Sequence, residues 1–114
     1  MGIEQKPWGT KTLLSQTPFF SIYLLEMNQN TRTSLHYHKY TTKSHYIVEG
    51  EIEVEIESGK LILTKGKELT IYPHKLHRLT AKTKSIFIEI ATPEIFGEDT
   101  IRIEDDYGRK NDKL

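Results

Sequence analysis

With 114 residues, 16 Lys+Arg balanced by 16 Asp+Glu and no cysteine, the chain has room for one compact domain and no net charge to draw it to nucleic acid or anionic lipid. Disulfides and thiolate metal ligands are excluded, which leaves histidine and carboxylate as the strong ligands for any ion. The 36% hydrophobic fraction suits a globular fold, no apolar run nears the ~20 residues that span a bilayer, and the polar start Met1 to Lys6 lacks a signal peptide's apolar core, so the expectation is a single cytoplasmic domain over residues 1–114.

In chain order, Phe19 to Met27 carries alternating large side chains, Asn28-Gln29-Asn30 supplies a turn, and Arg32 to His38 is a second strand candidate. His45 opens a strand over Ser44 to Glu49. The clearest signal follows in Glu51-Ile52-Glu53-Val54-Glu55-Ile56-Glu57, whose strict alternation puts Ile52, Val54 and Ile56 on one face and glutamates on the other. Ser58-Gly59-Lys60 turns the chain into Leu61-Ile62-Leu63, which predicts a hairpin. Gly66-Lys67 turns it again before Leu69 to Tyr72, His77 lies near the start of a further strand, and Ile86 to Ile90 is short and β-branched. Turn signals about ten residues apart indicate a sandwich or barrel, and no window offers a capped amphipathic helix. The prediction is an all-β chain folded as a small antiparallel barrel. Its polar end, Arg109 to Leu114, is expected to fray.

All five histidines fall between positions 36 and 77. His36 and His38 are two apart on a predicted strand, so both side chains leave one face and can converge on one ion. His77 follows Pro73 in a P-x-x-x-H segment, with His74 between them, expected to turn away or sit at the rim. Any one of these taken singly is more often a surface or hydrogen-bonded residue. The H-x-H pair, the glycine-bounded strands and the later histidine together point to a divalent metal bound by nitrogen.

His36-Tyr37-His38 with Tyr46 to Glu51, and Gly66 through Ile71-Tyr72-Pro73-His74-Lys75-Leu76-His77, resemble the two sequence motifs of the cupin superfamily. Lys6-Pro7-Trp8-Gly9 and the segment Ile101 to Arg109 extend the resemblance over nearly the whole chain, toward the cupin domain of type II mannose-6-phosphate isomerases, which is often fused to mannose-1-phosphate guanylyltransferase. The resemblance implies a jelly-roll barrel with metal ligands at His38 and His77, and His36 matches the first histidine of the general pattern. The isomerases usually carry glutamine there. Zinc is the first expectation for the metal, with manganese, nickel or iron as alternatives.

Counting back from Gly50, cupins supply a glutamate ligand where this chain has Lys43. An ammonium about 4 Å from a divalent ion is repelled by several kcal/mol at an effective dielectric near 20. Lys43 therefore turns to solvent and leaves a three-histidine site, or loses its proton and serves as a base, or its charge replaces the metal in a pocket for anions. His45, two residues on, is a candidate to take over as ligand. The implied activity is isomerisation of mannose 6-phosphate or a related aldose phosphate, with His45 or Lys43 moving the proton. Arg78, Arg102 and Arg109 are the candidate phosphate grips, although an arginine is more often a solvated charge, and Trp8 reads as a plug for one end of the barrel. A non-catalytic sugar or nucleotide-sugar binding module and a three-histidine oxygenase are the alternatives. Open sheet edges predict a homodimer.

Overall fold

The computed structural model describes residues 2–93 and 99–109; of the tail expected to fray, Arg109 to Leu114, residues 110–114 lie outside them, and Arg109 is held by hydrogen bonds to Asp105. Eleven strands are β1 (Ile3–Lys6), β2 (Gly9–Gln16), β3 (Ser21–Met27), β4 (Leu35–His38), β5 (Thr42–Glu49), β6 (Glu51–Ile56), β7 (Gly59–Thr64), β8 (Glu68–Ile71), β9 (His77–Ala81), β10 (Ser85–Thr92) and β11 (Thr100–Glu104). They form two antiparallel sheets, ordered β1-β2-β3-β10-β5-β8 and β11-β4-β9-β6-β7. The fold is an all-β barrel of jelly-roll type, with no helix among the described residues and none able to cross a membrane.

Alternation places the strands as expected in the middle of the chain. On β6, Ile52 and Val54 are wholly buried between the sheets while Glu51, Glu53 and Glu55 face away. Ile56 pairs Gly59, so the β6–β7 hairpin turns at Glu57-Ser58. Gly50 hands the chain from β5 in one sheet to β6 in the other at φ 95°, a backbone angle that favours glycine. A Cβ there would lie 2.6 Å from the Lys84 carbonyl oxygen.

The β1–β2 hairpin and β11 carry no strong alternation, because β1 and the far end of β2 lie at the edge of a sheet and stay largely exposed. Gly9 explains the Pro-Trp-Gly segment. It pairs Met27 so closely that an added Cβ would collide with the Glu26 carbonyl oxygen. This approach seats Trp8, 5% exposed, in the core.

The strand β10 reverses what its composition suggests. Ile86, Ile88 and Ile90 face outward, and Ser85, Phe87, Glu89 and Ala91 face the interior. Along each wall the inward rows change character. Leu25, Met27, Ile47, Ile52, Val54, Ala81 and Phe87 fill one end of the barrel, each large buried side chain contributing about 1.5–3 kcal/mol. The inward positions at the other end, among them His36, His38, Lys43, His45, His77 and Glu89, are polar and line a cavity of about 460 Å³.

Candidate metal centre and its polar wall

His36 and His38 leave one face of β4, as an i, i+2 pair must. The antiparallel partner of His36 across to β9 is His77. Ring centroids stand 5.0 Å apart for His36 and His38, 4.4 Å for His36 and His77, and 5.5 Å for His38 and His77. One ligand atom from each lies within 4.8 Å of those of the other two.

Each ring has one nitrogen already engaged. His36 Nδ1 donates to the Ser34 carbonyl at 2.7 Å, His77 Nδ1 donates to the Lys75 carbonyl at 2.8 Å, and His38 Nδ1 lies 3.2 Å from Thr100 Oγ1 with an Asp99 carboxylate oxygen at 3.5 Å. These partners hold the proton on Nδ1 and leave the Nε2 lone pair for an ion, the outer-shell arrangement usual for metal-binding histidines. Burial pushes all three toward the neutral, ligating form. His36 lies well below the usual histidine range, through burial and then its two histidine neighbours. Burial and the Lys43 ammonium bring His38 down to about 3, and burial outweighs the Lys75 hydrogen bond to bring His77 down to about 4. Three neutral imidazoles with no thiolate nearby suit zinc, manganese, nickel or iron.

Lys43 stays inside the barrel instead of turning to solvent. Its side chain is 12% exposed and its Nζ donates to Glu89 Oε2 at 3.2 Å. Lys11, from β2, reaches the same oxygen at 3.4 Å, and His45 Nε2 lies 3.1 Å from Glu89 Oε1. Burial alone would raise the Glu89 pKa, but Lys43, Lys11 and His45 together hold it well below the usual carboxylate range. Glu89 is therefore a buried anion shared among three donors. Because Nε2 of His45 is committed to it and Nδ1 is buried without a hydrogen-bond partner, His45 stands outside the three-histidine group.

The three candidate arginines separate. Arg78 is 3% exposed and off the cavity wall; its Nε donates to the Thr33 carbonyl at 3.0 Å, and its terminal nitrogens reach the Glu104 side chain and backbone. Arg102 and Arg109 line the cavity. Arg109 is clamped by Asp105, whose Oδ2 accepts from its backbone N–H at 2.6 Å and its Nε at 2.9 Å. His74, at φ 68°, lies beside Tyr37 with ring centroids 5.9 Å apart and does not join the cluster.

Sequence reasoning missed Lys11, Glu89 and Asp99. Glu89 had one local signal, its place two residues from Phe87 on an alternating strand. Composition pointed the other way, since three isoleucines occupy the opposite face.

The family model described as mannose-6-phosphate isomerase C-terminal matches residues 3–106. A mannose-1-phosphate guanylyltransferase from Klebsiella pneumoniae is 27% identical over 107 residues, which cover 91% of this chain and 23% of that protein. The chain thus spans about a quarter of that relative's length. Among solved structures, KdgF from Halomonas sp. superposes with a TM-score of 0.78 at 22% identity, over 83% of this chain and 90% of that one. An RmlC-like cupin from Shewanella frigidimarina gives 0.75 at 23% identity, over 82% and 84%. An ectoine synthase from P. lautus gives 0.71 at 21% identity, over 84% and 76%. At these identities the structural likenesses establish the fold, a cupin barrel.

Proposed function

This chain belongs to the mannose-6-phosphate isomerase C-terminal family, and from that premise we propose that it is a metal-dependent sugar-phosphate isomerase whose ligand is mannose 6-phosphate or a related aldose phosphate. The observation that carries the reading is the set of three neutral histidines, each with Nδ1 engaged, on the wall of a cavity of about 460 Å³. That volume suits a small ligand. A divalent ion held by His36, His38 and His77 would polarise the adjacent carbonyl and hydroxyl oxygens of the sugar. Arg102 and Arg109 offer guanidinium groups to the phosphate, the second held in place by Asp105. His45, fixed by Glu89, is the group assigned to moving the proton between C1 and C2, and Lys43, held as an ammonium by the same carboxylate, supplies positive charge beside it.

Protein loaded with zinc or manganese and given mannose 6-phosphate should form fructose 6-phosphate, followed by reduction of NADP through coupling enzymes, and His77→Ala should abolish it. Absence of turnover with zinc, manganese, nickel and iron in turn would refute the reading.

The buried Lys43 ammonium favours a second reading, a sugar or nucleotide-sugar binding module without chemistry, since it stands where the family carries a ligand glutamate. Saturable binding of mannose 6-phosphate or GDP-mannose by calorimetry, with no turnover, would select it.

A further inference from the structure

The six-stranded wall of the cavity carries more positive charge than its own carboxylates neutralise. Lys6 is matched by Glu4 at 3.2 Å. Lys11 and Lys43 have one carboxylate between them, that of Glu89, and both ammonium groups lie within 3.4 Å of the same oxygen, Oε2. The second Glu89 oxygen takes His45. Both lysine side chains are largely buried, at 18% and 12% exposure. Lys11 is further fixed over the Tyr23 ring, 4.2 Å from its centroid.

An ammonium has three donors, and Glu89 accepts one from each lysine. The remaining N–H groups belong to two cations close enough to share one small acceptor, on the wall of the cavity that also holds the three histidines. A lone buried cation is costly unless an anion meets it. We propose that Lys11 and Lys43 form an oxyanion subsite, which takes a carboxylate or phosphate group of the ligand beside the three-histidine cluster. Lys11, Lys43 and the three histidines line the same cavity, so an anion on the lysine pair would also lie beside an ion held by the histidines. The ligand's identity as a sugar phosphate rests on the function proposed above; the subsite itself does not.

The test is calorimetric titration of metal-free protein with inorganic phosphate, then with D-glucuronate, mannose 6-phosphate and neutral mannose. Lys43→Met and Lys11→Met should each weaken phosphate binding about tenfold or more, the scale of one charge-assisted hydrogen bond. Lys43→Arg should stay within about threefold of the parent, since it keeps the charge that supplies this interaction. Melting curves show which variants fold, and if Lys43→Met does not, Lys11→Met carries the test. A larger loss for glucuronate assigns the subsite to a carboxylate, and a larger loss for mannose 6-phosphate assigns it to a phosphate; either supports the subsite. No phosphate binding by the parent, or equal binding by parent and both methionine variants while Arg102→Met abolishes it, would overturn the proposal. Lysine-dependent binding without isomerisation would sink only the enzymatic reading, and isomerisation with binding indifferent to both lysines would sink only the subsite.

Discussion

Acidifying the metal-free protein from pH 7 to pH 5 should cost it roughly 4 kcal/mol of folding stability, because an unfolded histidine with a pKa near 6.5 is then almost fully protonated while His38 and His77, held at about 3 and 4, are not. Each contributes about 2 kcal/mol to the difference. The unfolded chain binds more protons than the folded one throughout this window, so stability is greatest above the unfolded pKa and falls as the pH drops through 6.5 toward 4. His36, pushed in the same direction by burial and its two histidine neighbours, adds to the loss. Glu89 begins to contribute, with the same sign, only as the pH nears its ordinary value of 4.5. With a urea slope of about 1–3 kcal/mol per molar, the midpoint should move down by about 2 M. Trp8, the only tryptophan and buried in the core, reports the transition by fluorescence in the presence of a chelator. A shift below about 0.5 M with an unchanged slope would mean that the histidines titrate normally and that the cluster is open to water.

Thr100→Val removes the hydroxyl against His38 Nδ1 and should weaken zinc binding about 10–100-fold by calorimetry; unchanged affinity would show that Asp99 alone orients the ring. Lys43→Glu removes a cation beside the cluster and adds an acceptor, so zinc affinity should rise by about one to three decades. The new carboxylate would also face Glu89, and the metal-free variant should therefore melt lower than the parent; equal zinc affinity would place position 43 outside the ion's reach. Gly9→Ala drives a methyl into the Glu26 carbonyl and should destabilise by about 1–3 kcal/mol in urea titration, whereas an unchanged midpoint would mean that the β2–β3 pairing shifts freely. Tyr46, Val48 and Ile90 are 47%, 37% and 39% exposed on the outer face of the six-stranded sheet. A second copy is expected to cover them, and light scattering at micromolar concentration should give twice 13.3 kDa; a monomer mass would refute this.

Much of the barrel was readable because side-chain alternation is a local property of an extended chain. Ile52 and Val54 declared their face within six residues, and His36 with His38 had to project together wherever β4 came to lie. The recurring turns implied the two-sheet class, and the terminal segments carried the family. That His77 completes the cluster depends on the register of β9 against β4, a pairing across 40 intervening residues. It could be expected from a motif, but alternation along one strand could not supply it.

The tertiary structure decided the rest, above all the fate of Lys43. A buried cation is tolerable only with an anion beside it, and the anion arrives from β10, 46 residues later, on a strand whose three isoleucines face outward. Inside a closed barrel the inner face need not be the more apolar one. The six-stranded sheet turns Phe87 and Glu89 inward because Phe87 completes the apolar end while Glu89 neutralises lysines from two other strands. Charge compensation of this kind is a property of three strands brought together, and no single segment of the sequence contains it.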